Sequence, residues 1–170
     1  MTIYALTGTP GTGKTTVSKK LSKIVIHLSD LYKKSSNKKN SDGEWLVDFQ
    51  KMKVLVQKEI EDDIVIEGHF AHLMDNIEQI IVLRCNPREL RKRMEERDYN
   101  EDKIKEKIEA EAIGLILSES IDYIGKNNVI QLDTSNTDVE SISNIIGKYL
   151  DGKIKVEEEI DYSERILDWY

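Results

Sequence analysis

Five short runs along the chain are apolar or β-branched almost without interruption: Thr2 to Leu6, Ile24 to Leu28, Ile64 to Glu67, Gln79 to Arg84 and Asn128 to Leu132. A strand covered on both faces needs no polar alternation, so runs of this kind predict buried strands of a parallel sheet. Between them lie longer charged stretches whose apolar residues recur at helical spacing, at Trp45 to Ile60, Pro87 to Arg97, Glu101 to Ile124 and Val139 to Leu150. A further helix-like stretch covers Val17 to Lys23. Strand and helix in alternation predict an α/β fold, a five-stranded parallel sheet with helices on both sides. Pro87 suits the first turn of its helix, where a missing N–H costs little. No repeat or inter-domain linker interrupts the pattern, and 170 residues suffice for one well-packed domain, 1–170.

Composition narrows the partners. Lys and Arg total 25 against 32 for Asp and Glu, a formal charge of −7 that argues against direct nucleic-acid binding over the surface. No apolar run approaches bilayer length, and the N-terminal residues lack the basic flank and apolar core of a signal peptide, so a cytoplasmic protein and a monomer are expected. Cys85 is the only cysteine and cannot form an internal disulfide. At the end of an apolar run it reads as a small buried hydrophobe.

The stretch LTGTPGTGKTT, Leu6 to Thr16, adds chemistry. It fits G-x-x-x-x-G-K-[ST] with Gly8, Gly13, Lys14 and Thr15, and it sits between a candidate strand and a candidate helix, as a phosphate loop requires. Glycines at 8, 11 and 13 let successive N–H groups turn around a phosphate, and the following helix adds its positive end. Lys14 would reach the β- and γ-phosphates, and the Thr15 hydroxyl would serve Mg²⁺, a hard cation that prefers oxygen.

Ligands of an open parallel sheet bind beyond the carboxyl ends of its strands. After the second strand, Ser29 or Asp30 is expected to cap a short helix on which Asp30 and Lys33 share a face, either as plain capping or to hold a second substrate. The polar stretch Lys33 to Gly43 reads as a mobile surface loop or a substrate contact. The third strand ends in IVIEGHFAH, where Glu67 can serve Mg²⁺ directly or through water and His69 can orient the attacking group. Gly68 would leave room for close ligand approach. His72 reads as structural, and without a second ligand pair the two histidines do not make a zinc site. After the fourth strand, Arg93 and Arg97 lie four apart on one helix face, suited to charge on a transferring phosphoryl group or to pairing with glutamates such as Glu89. DYNED beyond Arg97 reads as a hinge into a short lid that excludes water. The fifth strand leads into QLDTSNTD, which caps a helix near Asp138 and could pass behind an adenine base.

These pieces together, TGTPGTGKTT, IVIEGHF and VLRCNPRELRKRMEERDYNEDKI, resemble the adenylate kinase isoenzyme 6 family, the coilin-interacting nuclear ATPases of animals and their archaeal counterparts. The resemblance spans Thr7 to about Ser120, and its lid signature, Arg-x-Tyr-Asn, is more specific than the phosphate loop. It implies a three-layer α/β/α nucleoside-monophosphate-kinase fold with a monophosphate-binding segment at about 29–60 and a short lid at about 96–106. It implies ATP bound through Gly11, Gly13, Lys14, Thr15 and Thr16 with Arg97 from the lid, and phosphoryl transfer to AMP beside slow ATP hydrolysis. It also implies a part in small ribosomal subunit maturation through a ribosomal protein. The chain departs from the family pattern at Glu67, one methylene longer than the aspartate of eukaryotic members, and at Lys33, where an arginine is usual. Two activities follow: a kinase that makes ADP from MgATP and AMP, or an ATP-hydrolysing assembly factor whose groove holds a protein. A small-metabolite kinase would need a clamp in Lys33 to Asp48 that the residues do not offer.

Overall fold

The computed structural model describes residues 1–36 and 38–169, so Asn37, within the stretch read as a surface loop, lies outside the described residues. Five strands, β1 (Ile3–Gly8), β2 (Ile24–His27), β3 (Ile64–Glu67), β4 (Gln79–Arg84) and β5 (Val129–Asp133), form one sheet in the order β2-β3-β1-β4-β5. Every pairing is parallel, as the unbroken apolar runs predict. The register sets Leu6 and His27 on either side of Glu67, Gly8 against Leu83, and Arg84 against Asp133. Strand ends are thereby brought level, and the residues that follow them emerge along one edge.

Both sheet faces are covered. Ile3, Ala5, Ile64, Ile66, Ile80 and Val82 pack with Met52, Val56, Met74 and Ile116 on one side, while Tyr4, Leu6, Val65, Ile81 and Leu83 pack with Val17, Ile142, Ile146 and Leu150 on the other. Successive strand residues serve opposite layers, and only at the edge strand β5 do polar side chains, Gln131 and Asp133, alternate with buried Ile130 and Leu132. The helices are α1 (Lys14–Ser18), α2 (Tyr32–Ser35), α3 (Phe49–Gln57), α4 (Pro87–Glu95), α5 (Glu101–Ala112), α6 (Leu115–Ile124) and α7 (Val139–Leu150). The result is a three-layer α/β/α fold. Among the described residues no helix is long and apolar enough to cross a membrane.

Several boundaries differ from the periodicity. The stretch 101–124 is two helices, because Gly114 takes a left-handed conformation (φ +67°) that ends one and starts the next. The stretch 45–60 becomes helical only at Phe49, after Asp48 accepts from the Lys51 amide as an N-cap. α1 is confined to Lys14–Ser18: Lys20 and Leu21 then bond three residues back, to Val17 and Ser18, which tightens the chain out of the helix. Ser29 and Asp30 do not cap. The chain turns directly at the end of β2, His27 takes the cap position without a side-chain capping bond, and both residues fall inside a 3-10 turn, Leu28–Leu31. Asn86, Asn100 and Asp138 do cap α4, α5 and α7. The 38–46 stretch folds back on itself through a Lys39–Trp45 bridge, the Lys39 ammonium lying 4.6 Å from the indole.

Past α7 the chain returns along the β5 edge. Tyr162 donates to Asp133 at 2.8 Å, Asp168 pairs with Arg88, and Trp169 packs on a third apolar cluster of Cys85, Leu90, Met94, Ile104 and Ile108. Cys85 is free and fully buried, as a small hydrophobe would be.

Candidate active site

The turn out of β1 fixes the phosphate loop. Gly8 has φ +150°, and a Cβ there would stand 2.6 Å from the Leu83 carbonyl oxygen on the neighbouring strand. Gly11 and Gly13 take φ +93° and +97°, a left-handed region open to glycine. The loop's backbone then runs into α1 with Lys14 as its first residue.

Lys14 is only 8% exposed, and its ammonium donates to the carbonyls of Gly8 (2.8 Å) and Thr9 (3.1 Å). Burial pushes its pKa down to about 8, against the upward pull of the Glu67 and Glu111 carboxylates and with a smaller push from Arg97. Glu67, 3% exposed at the tip of β3, accepts from Thr15 Oγ1 through Oε1 at 3.4 Å. Its other oxygen lies 2.6 Å from His27 Nδ1. The sequence reading missed His27; the signal was the matched ends of IVIH and IVIE, which a parallel pairing sets side by side.

His69 follows Glu67 by two residues. Its Nδ1 is buried with no hydrogen-bond partner among the described residues. Burial first, then the Lys14 and Lys107 charges, lower its pKa to about 4, so the ring is neutral at pH 7. The room expected at Gly68 is filled: a Cβ there would meet the Leu28 side chain at 3.0 Å, so this glycine serves packing and not ligand approach. His72 is structural, bridging Thr7 Oγ1 (3.1 Å) to Glu119 (2.8 Å) and so tying β1 to α6.

Arg93 lies inside the site. Its guanidinium donates to the Gly11 carbonyl (3.3 Å), the Thr134 hydroxyl (3.3 Å) and the Thr134 carbonyl (2.7 Å), and it pairs with Glu89 at 3.6 Å. The helix pairing with Glu89 is present, and the rest of the fork meets the phosphate loop and the loop after β5. Arg97 is exposed and, with Arg93, Gly13, Thr16, Thr134 and Thr137, lines a cleft of about 190 Å³ beside the phosphate loop. Thr134, also missed in sequence, donates to the Thr12 carbonyl and thus joins the loop after β5 to the phosphate loop.

On the far side, Asp30 and Lys33 are both exposed, Asp30 in the 3-10 turn and Lys33 in the short α2 that follows it directly. The residue of this segment that senses Glu67 is Tyr32, whose phenol pKa is raised by burial and by that carboxylate. A groove of about 370 Å³ runs between Asn40, Asp42 and Glu44 on one bank and Asn100, Lys103 and Lys107 on the other. Lys103 crosses it, with its ammonium 2.7 Å from Glu44.

A buried lysine in a glycine loop, a strand-end carboxylate beside the loop's threonine, and an arginine-lined cleft define a P-loop nucleotide kinase. The family model described as AAA domain matches residues 5–114. A protein of Methanocaldococcus jannaschii named "Putative adenylate kinase" is 36% identical over 97% of this chain and 95% of its own length, and one of the same name from Pyrococcus abyssi is 38% identical over 95% and 92%. The chain belongs to this archaeal adenylate-kinase-like family of P-loop proteins. Among solved structures it is similar in fold to a protein from Thermus thermophilus (TM-score 0.64, 14% identity, 91% of this chain and 98% of that one). It is also similar to shikimate kinase from Bacteroides thetaiotaomicron (TM-score 0.51, 18% identity, 88% and 98%).

Proposed function

We propose that the chain is an adenylate kinase that moves the γ-phosphoryl of MgATP to AMP, yielding two ADP, and that also hydrolyses ATP slowly. The observation that carries this reading is the buried Lys14 of the phosphate loop with the arginine-lined cleft against the loop's Gly11, Gly13 and Thr16; the separate groove between 40–44 and 100–107 is the space the reading assigns to the acceptor. A two-substrate transfer needs a donor and an acceptor site facing one phosphate cradle. In one domain, 1–170, residues 29–60 form the acceptor side and 96–106 the lid. Gly11, Gly13, Lys14, Thr15 and Thr16 hold the ATP phosphates, Arg97 closes over them, and Arg93 stabilises charge on the transferred group. Asp30 and Lys33 reach AMP when the groove closes.

Thr15 and Glu67 offer hard oxygen donors 3.4 Å apart beside the loop, a set that suits Mg²⁺, and these two residues would hold it. When bound, the ion neutralises charge on the β- and γ-phosphates. His27 holds one Glu67 oxygen and leaves the other directed to Thr15.

A second reading rests on His69. A neutral imidazole whose buried Nδ1 has no partner among the described residues holds hydrogen-bonding capacity in reserve, which under this reading serves a water once the site opens for ATP hydrolysis. Under that reading the protein is an assembly factor for the small ribosomal subunit, and its groove takes part of a basic ribosomal protein, to which a chain of formal charge −7 is complementary. Substitution separates the roles. Lys14→Ala is expected to lower transfer and hydrolysis together, whereas His69→Gly lowers hydrolysis more than ATP affinity. Equal loss of ATP affinity in both variants would remove the separate role of His69.

A further inference from the structure

Glu111 occupies the apolar face of α5, 2% exposed, where a carboxylate must be satisfied by charge and hydrogen bonds. Arg84, also 2% exposed at the end of β4, supplies the charge. The two carboxylate oxygens are used differently. Oε1 accepts from Arg84 Nε and from the Cys85 amide, each at 2.9 Å, while Oε2 accepts from the Thr9 hydroxyl at 2.6 Å. A carboxylate needed only to neutralise an arginine is met by a two-pronged fork across both oxygens. Here the remaining guanidinium nitrogens go to the carbonyls of Glu111 and Ile160 and to Gln131, and Oε2 is left to the phosphate loop.

Thr9 is the pivot of that loop. Its carbonyl accepts from Lys14 Nζ (3.1 Å), from the Thr12 amide (3.2 Å) and from the Thr12 hydroxyl (2.8 Å). A turn of the Thr9 peptide therefore displaces one of the lysine's acceptors and the Thr9–Thr12 turn bonds at once. α5 starts at Glu101, within the stretch read as the lid, so one helix runs from there to Glu111 and its contact with the phosphate loop.

We propose that Glu111 is a positioning residue of the phosphate loop, acting through the Thr9 hydroxyl to hold the loop in the shape that receives a nucleoside triphosphate. The inference rests on the ATP-site reading above but not on the acceptor. It predicts that ATP affinity depends on the Thr9–Glu111 contact by more than the modest loss of stability from an unpaired Glu111 oxygen explains, the chain still folding without the Thr9 hydroxyl.

The test is calorimetric titration of ATP, without AMP, into the whole chain and into Thr9→Ser, Thr9→Val, Glu111→Gln and the double variant Thr9→Val/Glu111→Gln, with Tm measured for each. Thr9→Val is expected to weaken ATP binding about tenfold and to lower Tm by several degrees without loss of the folded state, since a hydrogen bond to a buried charge is lost. Thr9→Ser is expected to bind as the parent does, and the double variant no more weakly than the weaker single. Parent-like binding by Thr9→Val, equal weakening by Thr9→Ser, or additive losses would overturn the inference. If Glu111→Gln fails to fold, the Thr9 pair decides alone. A parent that binds no ATP would overturn the ATP-site reading and this inference together, whereas a parent that binds ATP beside variants that bind equally overturns this inference only.

Discussion

Raising the pH should strengthen the fold through Lys14. In the folded chain the lysine titrates near 8, against 10.5 in its ordinary environment, because burial disfavours its charge. Between those values the unfolded chain still binds a proton that the folded one has released, so stability rises with pH across the window and is lowest below 8. The gap of 2.5 units, at about 1.36 kcal/mol per unit, amounts to about 3 kcal/mol. Lys14→Met lacks the titration but keeps the bulk, and all other groups cancel in the comparison. Urea unfolding of both proteins from pH 7 to 10.5, in chelator and without nucleotide, should show the parent gaining about 3 kcal/mol relative to the variant. A difference that stays flat, or that moves toward the variant as pH rises, would refute the assignment of a strained, charged lysine under the loop. Nucleotide phosphates favour the charged lysine, so ATP affinity should fall by about tenfold per pH unit above 8 over the same range.

Arg93→Lys keeps the charge but loses the fork that reaches Gly11 and Thr134 together, and ATP affinity should drop about fivefold by titration, about 1 kcal/mol for the lost bonds. Unchanged affinity would remove Arg93 from the site. Gly8→Ala forces a methyl group against the Leu83 carbonyl and should cost about 2 kcal/mol or more in chemical unfolding; a parent-like midpoint would contradict the packing at the strand end. Cys85, fully buried and with its thiol pKa pushed up to about 11 by that burial, should react with a thiol reagent at pH 8 only as the protein unfolds, and rapid stoichiometric labelling of the native chain would refute its inert role.

The sheet was legible in sequence because each strand is short and largely apolar, so that five runs map onto five strands, two without any shift and three with ends shifted by at most two residues. Helix limits were less so. They depend on single residues whose effect is conformational, such as Gly114 in the left-handed region and Asp48 as a cap, and periodicity does not weigh these. In the site, Lys14, Glu67 and Arg93 were readable from motif and position. His27, Thr134, Glu111 and Arg84 were not, because they converge only through strand register and the docking of α5. Two of them did leave a trace. Glu111 interrupts the face formed by Ile104, Ile108 and Ala112, and Arg84 ends an otherwise apolar strand, which marks each as a buried charge in need of a partner. The cap expected from Ser29 or Asp30 was misjudged for the opposite reason: the chain turns helical directly at the end of β2, so both residues fall inside the turn and not at its start.

The most direct measurement of the central claim is chromatographic scoring of products from MgATP with purified protein, with and without AMP. The account predicts that AMP sharply accelerates ATP loss and that two ADP appear for each ATP consumed. Slow decay of ATP to ADP and phosphate at a rate indifferent to AMP would contradict it.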